Sequence, residues 1–271
     1  MGAIDVTRRN NVVVTGRADG PVVMLANGFG CDQTMWRLVV PGLARDFRVV
    51  LFDHVGSGRS DVSAWQAGRY ATLDGYADDI LQICRELELE RVIFVGHSVS
   101  AMMGVLAAIA EPDRFSKLIL IGPSPSYIDS PGYRGGFSRA DIDELLSSLD
   151  SNYLGWSAAM APVIMGNPDR PELGQELANS FCRADPQIAQ AFARTTFLSD
   201  NRSDLARVAV PTLVLQCSSD AIAPPEVGEF VRAQIPGARL VTLPATGHCP
   251  HLSAPDVTLA AIASFAGGPP Q

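Results

Sequence analysis

The chain has few charged and few aromatic residues, and its basic residues form no runs. Of its 271 residues, 18% are charged and 7% are aromatic. The 29 Asp and Glu residues outnumber the 21 Lys and Arg residues, which gives a net charge of −8 at pH 7. Phosphate backbones and anionic lipids attract basic patches. The acidic balance therefore excludes nucleic-acid binding as the main activity, and we expect neither a nucleic-acid nor a membrane partner.

Long hydrophobic runs and paired cysteines are also missing. The longest apolar run, Ala101–Ala110, is too short to cross a bilayer, and no apolar segment typical of a signal peptide follows Arg8 and Arg9. The odd number and wide spacing of the cysteines favour neither a disulfide framework nor a CxxC metal site: Cys31, Cys84, Cys182, Cys217 and Cys249. The sequence also lacks a cofactor motif. We therefore expect a cytoplasmic protein that uses neither a metal nor a cofactor.

Short β-branched runs alternate with helical patterns through the first half of the chain. The runs predict buried strands at Val12–Thr15, Val22–Leu25, Val49–Phe52, Val92–Val95 and Leu118–Ile121. The clearest helical pattern is Leu73–Leu87, in which Tyr76, Ile80 and Ile83 fall on one face. Because strands that alternate with helices form mostly parallel sheets covered on both faces, the pattern predicts an α/β fold.

The pattern changes after Pro123. Between residues 138 and 196 the chain has four helical stretches and no convincing strand, and typical helix starts precede three of them: Ser138 with Asp141, Pro171, and Asp185-Pro186. The alternation then resumes with strands and helices at Thr212–Gln216, Pro225–Gln234, Leu240–Leu243 and Asp256–Phe265. We therefore predict a core of residues 1–127 and 200–271, with a helical lid of residues 128–199 inserted into it.

The sharpest local motif is the pentapeptide Gly96-His97-Ser98-Val99-Ser100, which follows a predicted strand and opens a helix of small residues. This context is typical of a nucleophile elbow, whose usual pattern is G-x-S-x-G. Ser100 takes the last glycine position, and serine is small enough for the tight turn. The helix N-terminus beneath the serine favours developing negative charge. A serine between small residues can also be an ordinary turn, so Ser98 needs partners elsewhere in the chain.

Those partners are an acid and a histidine, in the order that this architecture requires. Asp220 follows the strand Thr212–Gln216, and His248 follows the strand Leu240–Leu243. Ligands bind at the carboxyl ends of the strands in open α/β sheets, and all three residues lie there. We therefore predict that Ser98, Asp220 and His248 form a catalytic triad.

Several nearby residues are alternatives or bystanders. His251 is a rival base, although Gly247 gives His248 the freer backbone. Asp129 is an alternative acid, several residues beyond the end of its strand. We expect His54 and His97 to hold loops by hydrogen bonds. Cys249 adjoins the predicted base but has no group that would activate it, so we interpret it as a bystander.

An oxyanion hole requires two backbone N–H groups. One is that of Val99, which follows the predicted nucleophile. The loop Asn27-Gly28-Phe29-Gly30 follows an early strand and predicts the second donor at Phe29, because its glycines allow a close approach to the substrate carbonyl. A second glycine-containing loop, residues 53–60, is not a dinucleotide motif and is interpreted as a structural turn.

At this point the sequence resembles the α/β-hydrolases, and more narrowly the family of the stress-signalling regulator RsbQ and the karrikin and strigolactone receptors. Matching segments run along nearly the whole chain: Gly28-Phe29-Gly30-Cys31-Asp32-Gln33, Leu51-Phe52-Asp53-His54-Val55-Gly56-Ser57-Gly58, Gly96-His97-Ser98-Val99-Ser100-Ala101-Met102, Gly122-Pro123-Ser124-Pro125, Gly135-Gly136-Phe137, Gln216-Cys217 and Gly247-His248-Cys249-Pro250-His251. The resemblance implies the same triad and oxyanion hole, and a four-helix cap over a closed apolar pocket. The chain departs from the family at Asn27, where the usual residue is histidine, and Ser100 resembles the plant receptors more than the usual hydrolase glycine.

The predicted cap is rich in residues that could line such a pocket. The candidates are Phe137, Tyr153, Trp156, Met160, Phe192 and Phe197, and we expect about half of them to contact a ligand, since most apolar helix residues are core. An apolar pocket suits a small hydrophobic ester, lactone or related carbonyl compound.

Two functions are compatible with these residues. The first is a serine hydrolase, a carboxylic ester hydrolase in the narrower sense, and a carbon–carbon bond hydrolase would use the same triad. The second is a ligand-binding receptor with little turnover, whose lid recruits a protein partner. The resemblance to RsbQ implies a role in sigma-factor regulation and the stress response, with a PAS-containing serine phosphatase as partner. We expect both functions to be combined in a regulatory hydrolase.

Overall fold

A seven-stranded sheet forms the centre of the molecule, which a computed structural model describes for residues 5–267. The strands are β1 (Val13–Gly16), β2 (Val22–Ala26), β3 (Arg48–Leu51), β4 (Val92–His97), β5 (Phe115–Ile121), β6 (Thr212–Ser219) and β7 (Arg239–Thr246). Their order across the sheet is β1-β3-β2-β4-β5-β6-β7, and every pairing is parallel except that of β1 with β3. The predicted α/β fold with a mostly parallel sheet is confirmed.

Eleven α-helices lie in the described part of the chain. They are α1 (Val6–Arg9), α2 (Val40–Leu43), α3 (Leu73–Glu86), α4 (Val99–Ala110), α5 (Arg139–Ser151), α6 (Tyr153–Met165), α7 (Pro171–Phe181), α8 (Pro186–Phe197), α9 (Pro225–Gln234), α10 (Pro250–Ser253) and α11 (Pro255–Ala266). Short 3₁₀ turns lie at Gln33–Trp36, Val62–Ala64, Pro112–Arg114 and Arg202–Arg207. No helix within residues 5–267 is long and apolar enough to cross a membrane.

The alternation of side chains along the central strands builds two apolar layers, one on each face of the sheet. In β5, Leu118 and Leu120 belong to the layer that includes residues of α3, α4 and α9. Ile119 and Ile121 point to the opposite face and join residues of α2 and α11. Because both faces are covered, the central strands are continuously apolar rather than alternating with polar residues.

The first strand differs from its prediction. The sequence predicts a buried strand at Val12–Thr15, but all four residues of β1 are exposed, and Val13 and Val14 are each 42% exposed. The reason is its position: β1 lies at the edge of the sheet and pairs only with β3. β-branched residues favour edge and central strands alike, so composition alone does not separate the two.

Four helices, α5 to α8, occupy the chain between β5 and β6. Helix α5 begins with a capping box between Ser138 and Asp141, and the side chain of Asp185 caps the first turn of α8. Two hydrogen bonds join these helices to loops at the carboxyl end of the sheet: His248 N–H donates to the Ile164 carbonyl (2.8 Å), and Ser180 Oγ donates to the Gly30 carbonyl (3.0 Å). The predicted core also includes residues 1–4 and 268–271, which lie outside the described residues.

Candidate active site

Ser98 lies at the sharp turn between β4 and α4. Its backbone has φ 57° and ψ −126°, a conformation that a residue with a side chain rarely adopts. The turn leaves no room at Gly96, where a Cβ would lie 2.5 Å from the Ser100 carbonyl oxygen. The glycine at this position and the strained serine are the features that a nucleophile elbow requires.

Ser98, His248 and Asp220 form one continuous chain of hydrogen bonds. His248 Nε2 lies 2.8 Å from Ser98 Oγ, and His248 Nδ1 lies 2.7 Å from Asp220 Oδ2. The other carboxylate oxygen, Asp220 Oδ1, accepts the backbone N–H groups of Ile222 (2.8 Å) and Ala223 (3.1 Å). All three predicted residues are buried and brought together, although they are far apart in the sequence.

The surroundings of Asp220 keep its carboxylate charged. Burial alone would raise the pKa of Asp220, but electrostatic attraction to His248 and hydrogen bonds from His248, Ile222 and Ala223 hold that pKa below its ordinary value. An ionised carboxylate accepts the Nδ1 proton of the imidazole. Nε2 of His248 is then free to take a proton from Ser98.

The loop from Asn27 to Gly30 packs directly against the elbow. A Cβ on Gly28 would lie 2.7 Å from His97 Nδ1 and 3.1 Å from Ser98 Cβ, so only glycine fits there. Within residues 5–267, the N–H groups of Phe29 and Val99 donate no hydrogen bond to a protein acceptor. These two N–H groups are the ones that the sequence predicts as oxyanion donors.

The alternative residues that the sequence offers are not part of the hydrogen-bonded chain of Ser98, His248 and Asp220. His251 is buried and stacks on the Trp36 indole, with ring centroids 4.6 Å apart. Asp129 accepts the N–H groups of Gly135 and Gly136 at 2.7 and 2.9 Å, which closes a local turn. Cys249 borders the cavity above Ser98, but burial raises the pKa of its thiol well above the ordinary value, so it is not an activated nucleophile.

The other two histidines hold loops, as expected. His97 Nε2 donates to the His248 carbonyl (2.7 Å), which fixes the loop that carries the predicted base. His54 Nε2 lies 2.7 Å from Ser100 Oγ and 3.1 Å from the Asn27 carbonyl oxygen. In the turn at residues 53–60, Asp53 Oδ2 accepts the N–H group of Arg59 (3.0 Å), consistent with a structural turn.

An apolar cavity of about 30 Å³ lies above Ser98. Its lining comes from the sheet loops and from α6 to α8: Phe29, Cys31, His97, Ser98, Tyr127, Trp156, Ile164, Leu177, Phe181, Thr196, Phe197, Ile222, His248 and Cys249. Of the six predicted pocket residues, Trp156 and Phe197 line this cavity.

The other four predicted pocket residues do not line this cavity. Phe192 stacks on Tyr76, with ring centroids 4.6 Å apart. Tyr153 stacks on Trp156 and donates its hydroxyl to the Phe181 carbonyl (2.8 Å). Phe137 and Met160 are partly buried at the border of the apolar cluster formed by the inserted helices. The sequence spacing does not reveal which face of each helix turns inward.

Sequence reasoning missed several lining residues. Leu177 and Phe181 are four residues apart on α7, so helical periodicity would have found them once that helix was placed over the site. The packing of Phe181 also explains Gly30, where a Cβ would lie 2.1 Å from the Phe181 ring. Tyr127 and Ile222 lie on loops, and no local pattern in the sequence marks them.

The buried histidines predict a loss of stability in acid. Burial, reinforced by His248, lowers the pKa of His97 to about 3, and burial lowers the pKa of His251 well below its ordinary value. Since the unfolded chain binds these protons from about pH 6.5 downward, stability is complete above that pH and falls as the pH decreases. The protonation of His97 alone is expected to lower the free energy of unfolding by about 2 kcal/mol between about pH 7.5 and pH 5.

Urea unfolding at both pH values measures this loss. His97→Asn keeps a side-chain N–H donor but does not titrate, so its free energy of unfolding should fall by about 2 kcal/mol less than that of the wild type. Equal losses in the two proteins would contradict the assignment of His97 as a neutral buried group.

Comparison with known proteins gives a consistent result. Residues 22–261 match the model of the alpha/beta hydrolase family. A probable esterase of Oryza sativa subsp. japonica is 41% identical over 260 residues, which cover 96% of this chain and 95% of that protein. A strigolactone esterase of Arabidopsis thaliana is 41% identical over 246 residues, which cover 90% and 91%. A solved hydrolase from Oleispira antarctica superposes with a TM-score of 0.95 at 41% identity, covering 98% of this chain and 97% of that one.

These similarities confirm two predictions made from the sequence. The resemblance to the RsbQ, karrikin and strigolactone receptor group is confirmed by the plant relatives. The prediction of an enzyme of the ester hydrolase type is confirmed by relatives and structural neighbours of that class. With a family match that spans most of its length, the chain belongs to the alpha/beta hydrolase family.

Proposed function

We propose that the protein is a serine hydrolase that cleaves a small hydrophobic ester or lactone, with Ser98 as nucleophile, His248 as base and Asp220 as the acid that orients the base. The observation that carries this proposal is the unbroken hydrogen-bond chain from Asp220 through His248 to Ser98 at a strained elbow. The three residue types, their order and their contacts all match the requirements of nucleophilic acyl transfer.

In this mechanism Ser98 Oγ attacks the substrate carbonyl while His248 Nε2 takes the hydroxyl proton. The carbonyl oxygen becomes an oxyanion, which accepts the N–H groups of Phe29 and Val99. The protonated His248 then gives its proton to the leaving alkoxide as the carbonyl–oxygen bond breaks, which leaves an acyl group on Ser98. Water, deprotonated by His248, then attacks the acyl carbonyl. His248 returns the proton to Ser98 Oγ as the acyl–oxygen bond breaks and the acid is released.

A second serine–histidine contact, between Ser100 and His54, lacks the parts that this chemistry needs. Within the described residues, His54 Nδ1 is buried without a hydrogen-bond partner, so no carboxylate orients the ring. Ser100 Oγ instead donates to the Asn27 carbonyl, and Ser100 is fully buried. We therefore assign the reaction to Ser98 and not to Ser100.

The cavity supports a small apolar substrate. Residues of α6, α7 and α8 line it, so we expect a substrate to enter when residues 128–199, which we propose act as a cap, move away from the core. Two lining atoms, Trp156 Nε1 and Thr196 Oγ1, are buried with no partner among residues 5–267. Such atoms favour a ligand that carries a polar atom besides the reacting carbonyl, because it would satisfy them.

A regulatory role is the second part of the proposal. A relative from Petunia hybrida, karrikin insensitive 2 receptor IA, is 41% identical over 249 residues and is named as a receptor, whereas other relatives are named as esterases. The inserted helices are hydrogen-bonded to the loops of Gly30 and His248, so cap movement and catalysis are mechanically connected. A signalling partner such as a PAS-containing serine phosphatase, a role in the stress response and a cytoplasmic location remain predictions.

Trapping the acyl-enzyme tests the proposed reaction. Mixing the protein with a short-chain p-nitrophenyl ester should release a burst of one p-nitrophenolate per chain when deacylation is the slower step. Mass spectrometry of the acid-quenched protein should then find one acyl group on the peptide that contains Ser98. An acyl group on any other residue would contradict the assignment. Ser157→Ala changes a buried serine outside the cavity lining and serves as the control, which should acylate like the wild type.

A further inference from the structure

The carbonyl of Asn27 is held by two buried polar side chains. Ser100 Oγ donates a hydrogen bond to it, and His54 Nε2 lies 3.1 Å from the same oxygen and 2.7 Å from Ser100 Oγ. All three residues are at least 99% buried. Asn27 follows β2 and Ser100 lies on α4, and the structure brings them into contact.

The protonation of His54 follows from its neighbours. Burial lowers the pKa of His54, so its ring is neutral and carries one N–H. The Asn27 carbonyl can only accept, and His54 Nδ1 is buried without a partner within residues 5–267. An unpaired buried N–H is costly, so the proton belongs on Nε2, from which it is donated toward Asn27 and Ser100.

This contact lies one peptide before the predicted oxyanion donor. Ala26 is the last residue of β2, paired with Gly96 in the sheet, and Asn27 is the first residue beyond it. On the far side, Cys31 N–H donates to the Gly28 carbonyl (3.2 Å). Gly28 has no side chain to restrict its backbone, so the orientation of the Phe29 N–H depends on contacts made on both sides of that glycine.

We propose that Ser100 and His54 are positioning residues: they hold the Asn27 carbonyl and thereby aim the Phe29 N–H at the oxyanion. This inference rests on the proposed function, because it assigns a role within the reaction of Ser98. Ser100 also lies two residues after Ser98 on α4, so one turn of helix carries the nucleophile, the Val99 donor and the hydroxyl that fixes the opposite donor. In this proposal, the contact between α4 and the loop from Asn27 to Gly30 determines the geometry of the oxyanion hole.

The test compares an ester with its thionoester in the wild type and in Ser100→Ala. Sulfur accepts hydrogen bonds weakly, so the ratio of kcat/KM for the p-nitrophenyl ester to that for the p-nitrophenyl thionoester reports oxyanion binding. We expect Ser100→Ala to lower kcat for the ester by roughly 10-fold or more and to change KM by less than about 2-fold. We also expect the variant to lower the ester-to-thionoester ratio of kcat/KM. Removing a buried hydroxyl for structural reasons alone would change both substrates equally.

Two further variants complete the experiment. His54→Phe keeps an aromatic ring that packs against Phe52 and Tyr76 but removes Nε2. The Ser100→Ala/His54→Phe double variant should lose less kcat than the product of the two single losses, because both side chains hold the same carbonyl. Thr258→Val removes another fully buried hydroxyl, whose Oγ1 donates to the Ala254 carbonyl (2.8 Å) outside the cavity lining, and should leave the ratio unchanged.

The outcomes separate this inference from the proposed function. A wild type that acylates Ser98, together with an unchanged ester-to-thionoester ratio in Ser100→Ala, overturns the positioning role and leaves the triad intact. A wild type that never acylates Ser98 overturns both. A reduced ratio in both single variants, with non-additive losses, supports the positioning role.

Discussion

Replacing Ser98 with alanine is expected to lower kcat for a short-chain p-nitrophenyl ester by about 10⁶, or about 8 kcal/mol of transition-state stabilisation. The variant removes the atom that forms the acyl-enzyme, and nothing else in the site replaces it. Cys249 borders the same cavity, but burial raises the pKa of its thiol, so too little thiolate forms to act as a nucleophile. The remaining activity is expected to come from oxyanion binding of a substrate attacked by water.

The measurement needs a folding control, because Ser98 occupies a strained backbone position. Alanine keeps a Cβ there, so circular dichroism and the thermal unfolding midpoint should match those of the wild type within a few degrees. Ser157→Ala should retain full activity, since Ser157 Oγ donates to the Tyr153 carbonyl of its own helix (2.7 Å) and Ser157 does not line the cavity. Equal activity in wild type and Ser98→Ala would contradict the triad.

The order of elements in the fold could be predicted from the sequence, because each strand and helix carries its own periodicity and end signals. The sequence predicts helix α9 with the bounds that the structure has, and the capping box of Ser138 and Asp141 begins α5 where expected. The exposure of β1 could not be predicted, because it depends on the position of that strand at the sheet edge. Position in a sheet is set by the whole chain and not by four residues.

The triad contacts could also be inferred from the sequence. Each of the three residues, Ser98, Asp220 and His248, follows a strand, and the carboxyl ends of these parallel strands lie at the same edge of the sheet. The residues that line the cavity could not be inferred from the sequence. Phe192 and Phe197 both lie on α8, yet only Phe197 lines the cavity, and the choice depends on the rotation of that helix against Tyr76. The contact between His54 and Ser100 is equally invisible in the sequence, because it requires the order in which β2, β3 and β4 are placed.

Replacing Asp220 with asparagine is expected to lower kcat by about 10⁴ while leaving the fold intact. Asp220 Oδ1 accepts two backbone N–H groups, from Ile222 and Ala223, so the amide oxygen of the variant must take that position. The amide NH₂ then faces His248 Nδ1, at the place where Oδ2 now lies 2.7 Å away. A donor there forces the imidazole proton onto Nε2, which can no longer take the proton of Ser98.

Asp129 provides the matched control, because it is the other carboxylate that the sequence offers as the acid. Its Oδ1 accepts the N–H groups of Gly135 and Gly136, and an asparagine oxygen can accept the same bonds, so Asp129→Asn should keep kcat within about 3-fold. The steady-state kcat of both variants on one ester decides between the two acids. A large loss in Asp129→Asn with little loss in Asp220→Asn would reverse the assignment. A large loss confined to Asp220→Asn would show that the charge at Asp220, and not only its shape, sets the tautomer of His248 from which Ser98 is activated.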